Sequence, residues 1–312
     1  MPRTPDALVA TLRALRIAIE EAGWQTAEVE LPSYPGGKRP SATVTLTGGG
    51  ERGCGESVAW TVAAQERFAV AAVPLGGWRL GEWADAVLQR FHDPYERAAL
   101  EAAAIDLALR QAGTSLLGLA GVAATSVHYV VSFDKTADPI ARMAGAGEYK
   151  IDVDSEWSDA TWAALGASGR VAVLDFKGQG SAERAHRAVP DALIEDPGDA
   201  PWSPSLARRV SFDIPVTSTR ALDGLPTVPA AVNLKPARMG GVLEALGCAA
   251  RCAERGIAVY IGGMFEVGVG RRQLRALAAL LSPDGPNDIA PLVTGERPAR
   301  LAVDPAAAGF GA

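Results

Sequence analysis

Apolar and polar positions alternate in two different ways along the chain, and the change falls near residue 121. Before it, Ala27–Leu31 and Ser41–Leu46 interleave β-branched and polar residues, the period-two signature of half-buried strands. Pro32–Pro40, with Gly36-Gly37, reads as the turn between them, and residues 48–57 (GGGERGCGES) as a glycine-rich loop. No Gly-Lys-Ser/Thr follows that loop, so it is a poor match to a phosphate cradle. From Asp93-Pro94 the segment YERAALEAAAIDLALRQAG predicts a strong helix, with Pro at its start and Gly113 at its stop.

After residue 121 a regular rhythm takes over. Apolar, β-branched runs recur at Val127–Phe133, Tyr149–Val153, Val171–Phe176, Ala192–Ile194, Val210–Phe212, Ala231–Leu234 and Ile257–Ile261, and helix-compatible sequence separates most of them. Strands alternating with helices predict parallel β/α units, and about eight such units close a barrel. An open doubly wound sheet is the alternative, but no Gly-x-Gly-x-x-Gly follows an early strand. The tail after Leu301, rich in Ala, Pro and Gly, reads as a loose end.

Composition narrows the function classes. An apolar fraction of 48% and a charged fraction of 21% are those of an ordinary soluble domain. A net charge of -6 offers no basic face for nucleic acid. No apolar run reaches the roughly eighteen residues of a membrane span, and residues 1–23 mix acids and bases in an amphipathic pattern unlike an export leader. A cytoplasmic enzyme is the expectation. The three cysteines, Cys54, Cys248 and Cys252, build neither a disulfide framework nor a zinc site; the last two read as small apolar residues on the inner side of a helix. Oligomeric state is not legible.

The strand ends carry the chemistry. They read YKIDVD, VLDFKG, LIEDP, SFDIP, NLKP and GGMFEVG, so a charged residue closes strand after strand: Lys150 and Asp152, Asp175 and Lys177, Glu195, Asp213, Lys235 and Glu266. In a β/α barrel those ends gather on the face where the loops build the active site. A polar loop is equally well served by Ser, Asn or Thr, so the repeated choice of charge points to a site. Three carboxylates on neighbouring strands, Asp175, Glu195 and Asp213, supply the hard oxygens that Mg²⁺ prefers. Without a cation they repel one another, so a metal or the lysines must compensate. His128, at a strand start, and His186, in a helical stretch, read as packed or surface histidines; Trp157 and Trp202 follow strands and either wall the pocket or simply pack.

Residues 232–271 (VNLKPARMGGVLEALGCAARCAERGIAVYIGGMFEVGVGR) resemble the muconate-lactonising branch of the enolase superfamily, above all o-succinylbenzoate synthases and N-acylamino-acid racemases. The likeness lies in Asn-x-Lys-Pro around Lys235, the Gly-Gly pair opening the next helix, and Gly-Gly-Met-x-Glu ending at Glu266. IEDP at 194–197 is similar to the family's strand-four metal site, GCGES at 53–57 to its glycine-glutamate cap loop, and Asp175 and Asp213 fall where its other metal-binding aspartates are expected. The resemblance implies an α/β fold: a modified TIM-type (β/α)7β barrel over residues 121–312, tail included, under an α+β capping domain and linking helix over residues 1–120. It implies Mg²⁺ or Mn²⁺ on Asp175, Glu195 and Asp213, a small-molecule carboxylate substrate, and removal of a proton next to that carboxylate to give a metal-stabilised enediolate. Lys235 then acts as acid, base or cation, Lys150 contacts the substrate carboxylate or moves protons, and Glu266 contacts substrate or orients its neighbours.

The departures lie in the catalytic positions. The family's second strand ends Lys-x-Lys, here Lys150-Ile151-Asp152; its third ends Asp-x-Asn, here Asp175-Phe176-Lys177; and its strand-five aspartate is followed by Glu, here Ile214. Residues two apart on a strand share a face, so Asp152 and Lys177 are expected to point into the mouth from adjacent strands roughly 5 Å apart. Either the base has moved to Lys177 with Asp152 orienting it, or the two neutralise each other in a site that no longer abstracts protons, or the Lys177 ammonium weakens or replaces the metal. Two classes of function stay open: a metal-dependent lyase or isomerase, most like o-succinylbenzoate synthase-type dehydration or cycloisomerisation, and a catalytically degenerate barrel kept for binding.

Overall fold

Thr4 and Pro5 open the first helix, Pro5–Ala14, with a side-chain cap and a ring suited to the first turn. A computed structural model describes residues 3–31, 34–123, 125–145, 147–198, 201–289, 300–303 and 309–311. Past Ala14 the period changes: Arg16–Ile19 (β1) and Glu21–Glu30 (β2) are strands. β2 pairs antiparallel with Lys38–Gly48 (β3), and β3 with Glu51–Ser57 (β4). Gly76–Arg79 (β5) pairs with β1. The turn expected at Pro32–Pro40 does join β2 to β3, although Pro32 and Ser33 lie outside the described residues and β3 already begins at Lys38.

The glycine-rich segment 48–57 is not the loop the sequence suggested. Only Gly49-Gly50 turns; Gly48 ends β3 and the rest is β4. Its glycines serve packing, because β4 lies against the helix Pro94–Gln111: a Cβ on Gly53 would stand 2.3 Å from the Ala103 carbonyl, and one on Gly55 1.9 Å from that of Ala99. The helix is the strong one expected, capped by Asp93 on the N–H of Tyr95 at 2.7 Å and buried from Ala98 to Leu109. Its alanines let the sheet approach that closely.

Val127–Phe133 divides at Tyr129 into Thr125–His128 (β6) and Val130–Phe133 (β7). His128 therefore ends a strand instead of beginning one, because β6 pairs antiparallel with Arg300–Val303 (β14), outside the barrel. The expected loose tail falls mostly on residues 304–308 and 312, outside the described set. The barrel strands continue as Glu148–Asp152 (β8), Val171–Asp175 (β9), Leu193–Glu195 (β10), Val210–Phe212 (β11), Ala231–Leu234 (β12) and Ala258–Ile261 (β13). They form one parallel sheet in sequential order from β7 to β13. Asn287-Asp288 bridges its two edges, Asn287 to Tyr129 and Asp288 to Gly262, and so stands where an eighth strand closes the ring. No sequence run announced that closing segment. Among the described residues no helix is long and apolar enough to cross a membrane.

One apolar core runs through the N-terminal layer and the barrel. Two carboxylates tie them further. Glu56, at the end of β4, accepts the N–H groups of Val267, Gly268 and Gly270 at 2.7, 2.8 and 3.0 Å, where the helix Val269–Leu281 begins. Glu101, on the long helix, accepts the Leu243 N–H at 2.9 Å, where the helix Val242–Glu254 begins. Each satisfies buried or half-buried donors at a helix start. Burial pushes Glu101 up to about 7, against the pull of those N–H groups.

Candidate active site at the barrel mouth

Side chains two apart on a strand share a face, and the barrel interior is furnished in such pairs: Lys150/Asp152, Asp175/Lys177, Ser211/Asp213 and Asn233/Lys235. The register sets Asp152 beside Asp175 and Asp175 beside Glu195. Among the described residues, Asp175, Glu195 and Asp196 form a buried acidic group whose ligand oxygens lie within 4.8 Å of one another. Asp213 stands beside this group, joined to it through Asp196, whose carboxylate accepts the N–H of Asp213 and of Ile214, both at 2.9 Å.

Lysines interleave the acids. The Lys150 ammonium, fully buried, bonds Glu195 Oε1 and reaches Asp175 at 3.3 Å and Asp288 at 3.8 Å. Lys177 bonds Asp175 Oδ2 and lies 3.2 Å from Asp152. Lys235 donates to Asp213 Oδ2 at 2.8 Å, and Arg238 to Asp213 Oδ1 at 2.6 Å. Room for Lys235 comes from Gly262, where a Cβ would meet Asn233 Oδ1 at 2.3 Å and Lys235 Cε at 2.8 Å.

These contacts decide the protonation states. Burial opposes charge on Asp175, but Lys150 and Lys177 hold it well below the usual carboxylate range. Burial also opposes charge on Asp213, and Lys235, Lys150 and Arg238 bring it down. Glu195 goes the other way: burial, helped by Asp175 and Asp213, pushes it up to about 8 despite Lys150. The opposite shifts follow depth, since Glu195 is the most enclosed and has one cation where Asp175 has two. Lys177, at the partly exposed rim, loses some hydration there but is raised to about 12 by Asp175 and Asp152. Burial raises Asp152 and Asp196.

Counted as fully ionised, six carboxylates (Asp152, Asp175, Glu195, Asp196, Asp213, Asp288) meet four cations, Lys150, Lys177, Lys235 and Arg238, which leaves two formal negative charges. A divalent cation would neutralise that remainder, and the donors are hard oxygens, so the residues fit one. The described non-glycine residues with left-handed backbones are Lys177 (φ 51°), Asp196 (φ 44°) and Phe265 (φ 68°), which follow β9, β10 and β13 at this same face. Such strain collects where a site over-determines the backbone.

Of the charged residues that close the strands, Glu266 alone stands apart from the network. Its buried carboxylate accepts the Met264 N–H at 2.8 Å and has Arg271 and Glu56 as charged neighbours. Trp157 packs edge-on against Trp162 at 5.1 Å, and Trp202 near Phe212 at 6.2 Å. His186 sits in the helix Ala182–Ala188, and His128 meets Glu148 at 3.2 Å. Sequence reasoning passed over Asp196, Arg238, Asn233, Tyr260 and Asp288. Asn233 was recoverable by stepping back two positions from Lys235, and Tyr260 two from Gly262; Asp288 was hidden with its strand.

Two family models divide the chain: the C-terminal domain of DUF8230, a domain of unknown function, matches residues 120–294, and its N-terminal domain residues 10–119. The chain belongs to the DUF8230 family. This DUF8230 chain is 40% identical over 105 residues to an N-succinylamino acid racemase of Amycolatopsis sp, a stretch covering 31% of the chain and 28% of that relative. It is 45% identical over 58 residues to the o-succinylbenzoate synthase of Bacillus subtilis strain 168, covering 19% of the chain and 16% of the synthase. The matched stretches thus span less than a third of these curated relatives. Among solved structures it resembles an enolase-superfamily member from Enterococcus faecalis V583, with a TM-score of 0.75 at 20% identity over 95% of both chains. A Methylococcus capsulatus dipeptide epimerase complexed with Mg ion gives a TM-score of 0.75 at 19% identity, over 87% of this chain and 90% of the epimerase. The DUF8230 fold is that of the enolase superfamily, as the strand-end motifs imply.

Proposed function

We propose that the chain is an enolase-superfamily enzyme that moves a proton at the carbon next to a carboxylate in a small organic acid. The observation that carries this reading is the meeting of buried carboxylates with the Lys235 ammonium, 2.8 Å from Asp213, at the mouth of the barrel. Mg²⁺ or Mn²⁺ on Asp175, Glu195 and Asp213, with Asp196 beside them, would stabilise negative charge developing on the substrate carboxylate. In this reading Lys235, as the neutral amine left once its own proton has gone to solvent, takes the substrate proton and returns it as the ammonium, and Lys150 offsets the charge of Glu195 and Asp175. Lys177, held near 12 by Asp175 and Asp152, is a cation at neutral pH and serves as an acid or a substrate contact, not as a resting base. Glu266 shapes the turn after β13.

One working lysine suits a dehydration or cycloisomerisation of the kind o-succinylbenzoate synthases perform, where the same group can act as base and then as acid. Racemisation needs proton transfer on both faces. A second reading, a barrel kept for binding, is favoured by a specific observation: Asp175, Glu195 and Asp213 each already hold a protein cation. Incubation in D₂O with Mg²⁺ and a panel of N-succinylamino acids, dipeptides and aryl-substituted succinyl acids, followed by proton NMR, separates the two. Loss of the signal at the carbon next to a carboxylate is the expected result. A panel that stays fully protonated, with no heat of Mg²⁺ binding, would favour the binding protein.

A further inference from the structure

Glu195 is the most enclosed of the acids, and its two oxygens meet different neighbours. Oε1 receives Lys150, whose ammonium also reaches Asp175 at 3.3 Å. Oε2 receives the Tyr260 hydroxyl and, at 3.2 Å, the Asn233 amide. The Tyr260 hydroxyl also lies 3.0 Å from Ser211 Oγ. Tyr260, Asn233 and Ser211 come from β13, β12 and β11, and each is essentially without solvent contact.

Proton bookkeeping gives the chain of bonds a direction. A phenol has one proton to donate. Glu195 accepts it, so Ser211 donates to the phenol oxygen and fixes its azimuth. Asn233 points its NH₂ toward Glu195, since an amide oxygen there would face a carboxylate oxygen. The last torsion of a glutamate is broad and nearly two-fold, so an unheld carboxylate is free to rotate. Here two donors from two strands hold Oε2 and leave Oε1 on the side of Lys150, whose ammonium Asp175 shares. Both donors are neutral. They orient the carboxylate without spending any of the negative charge that a divalent cation needs, whereas a third lysine would.

We infer that Tyr260, seated by Ser211 and seconded by Asn233, is the positioning residue for Glu195, presenting Oε1 as the oxygen available to a divalent cation. The inference rests on the cation reading given under Proposed function. It distinguishes the inner residues of β11–β13 from simple core filling, because a phenylalanine would fill the Tyr260 volume equally well, whereas a buried phenol demands a partner.

Mn²⁺ alone, titrated calorimetrically into metal-stripped full-length protein near neutral pH, tests it. Tyr260→Phe is expected to keep the fold by circular dichroism and weaken Mn²⁺ binding roughly 10–100-fold, the usual cost of losing a partner behind a metal ligand. In a Glu195→Gln background the same change is expected to add nothing, because its effect runs through that carboxylate. If Tyr260→Phe does not fold, Ser211→Ala removes the group that aims the phenol and is expected to weaken binding roughly 3-fold or more. A folded Tyr260→Phe protein, or Ser211→Ala in its place, that binds Mn²⁺ as tightly as the wild type overturns the inference and leaves the cation reading standing. A wild-type protein that binds no Mn²⁺ overturns the cation reading, and this inference with it.

Discussion

The two sides of the barrel mouth solve the same problem differently. On the β11–β12 side one carboxylate, Asp213, is gripped by two cations, Lys235 at 2.8 Å and Arg238 at 2.6 Å. On the β8–β9 side the pairing runs across the strands: Lys177 meets Asp152 at 3.2 Å and bonds Asp175 besides. The difference teaches that charge balance at a strand end belongs to the pair of neighbouring strands. A motif read along one strand misses it. Against the strand-end pattern that the resemblance implies, Lys177 stands for a neutral Asn and Asp152 for a Lys, so that side keeps two lysines and carries one more acid.

The comparison breaks most visibly in turnover. Lys235→Ala is expected to slow deuterium exchange into a responsive acid by about 10³–10⁴-fold, whereas Lys177→Ala costs about 10-fold. Equal losses would mean that the β8–β9 side carries proton transfer as well. Next in size is Lys150→Met, which strands Glu195 in the interior. Removing one partner of a buried pair costs on the order of 3–5 kcal/mol, to be read from urea midpoints.

A third measurement separates the mouth from the seam. Both Glu101, raised to about 7, and Glu195, raised to about 8, bind a proton more tightly folded than unfolded. With folded values above the unfolded carboxyl range, their contribution is present at acid pH and is lost as pH rises through about 7 and 8. Stability is therefore expected to fall from pH 5 toward pH 8. Glu101→Gln is expected to remove the Glu101 share, at most about 3 kcal/mol, and leave the part due to Glu195. An unchanged pH profile in that variant would assign the whole dependence to the mouth. The smallest effect is Asp152→Asn: Lys177 is 43% exposed, so losing this partner is expected to change stability by less than about 1 kcal/mol.

How much of this was legible follows from what each signal encodes. The recurrence of apolar runs from Val127 to Ile261 encodes parallel strands, because buried strands need continuous apolar sequence. Asn287-Asp288 escaped notice because it closes the ring with polar side chains over two residues. The period change at Ala14 was masked by mixed charges, and β4 by glycines whose purpose, the close approach of the Ala99–Ala103 helix face, is invisible until both partners are in view. At the mouth, residues at strand ends stood out as charges after apolar runs. Tyr260 and Asn233 did not, since a tyrosine or asparagine within a strand looks like filling. Glu266 stood out for its motif, yet its carboxylate turns back on its own loop to the Met264 N–H.

Glu56 and Glu101 reach across from the first third of the chain to close the starts of two barrel helices. The barrel is thus finished with parts it does not itself encode. Its last two long helices gain their caps only when the N-terminal layer has docked, and that layer gains a charged partner only when those helices exist. The two portions are therefore expected to melt in one cooperative step, which calorimetry would show as a single transition. An insertion or fusion between them is expected to preserve folding only if it leaves both glutamates within reach, a constraint on how such a gene can be recombined.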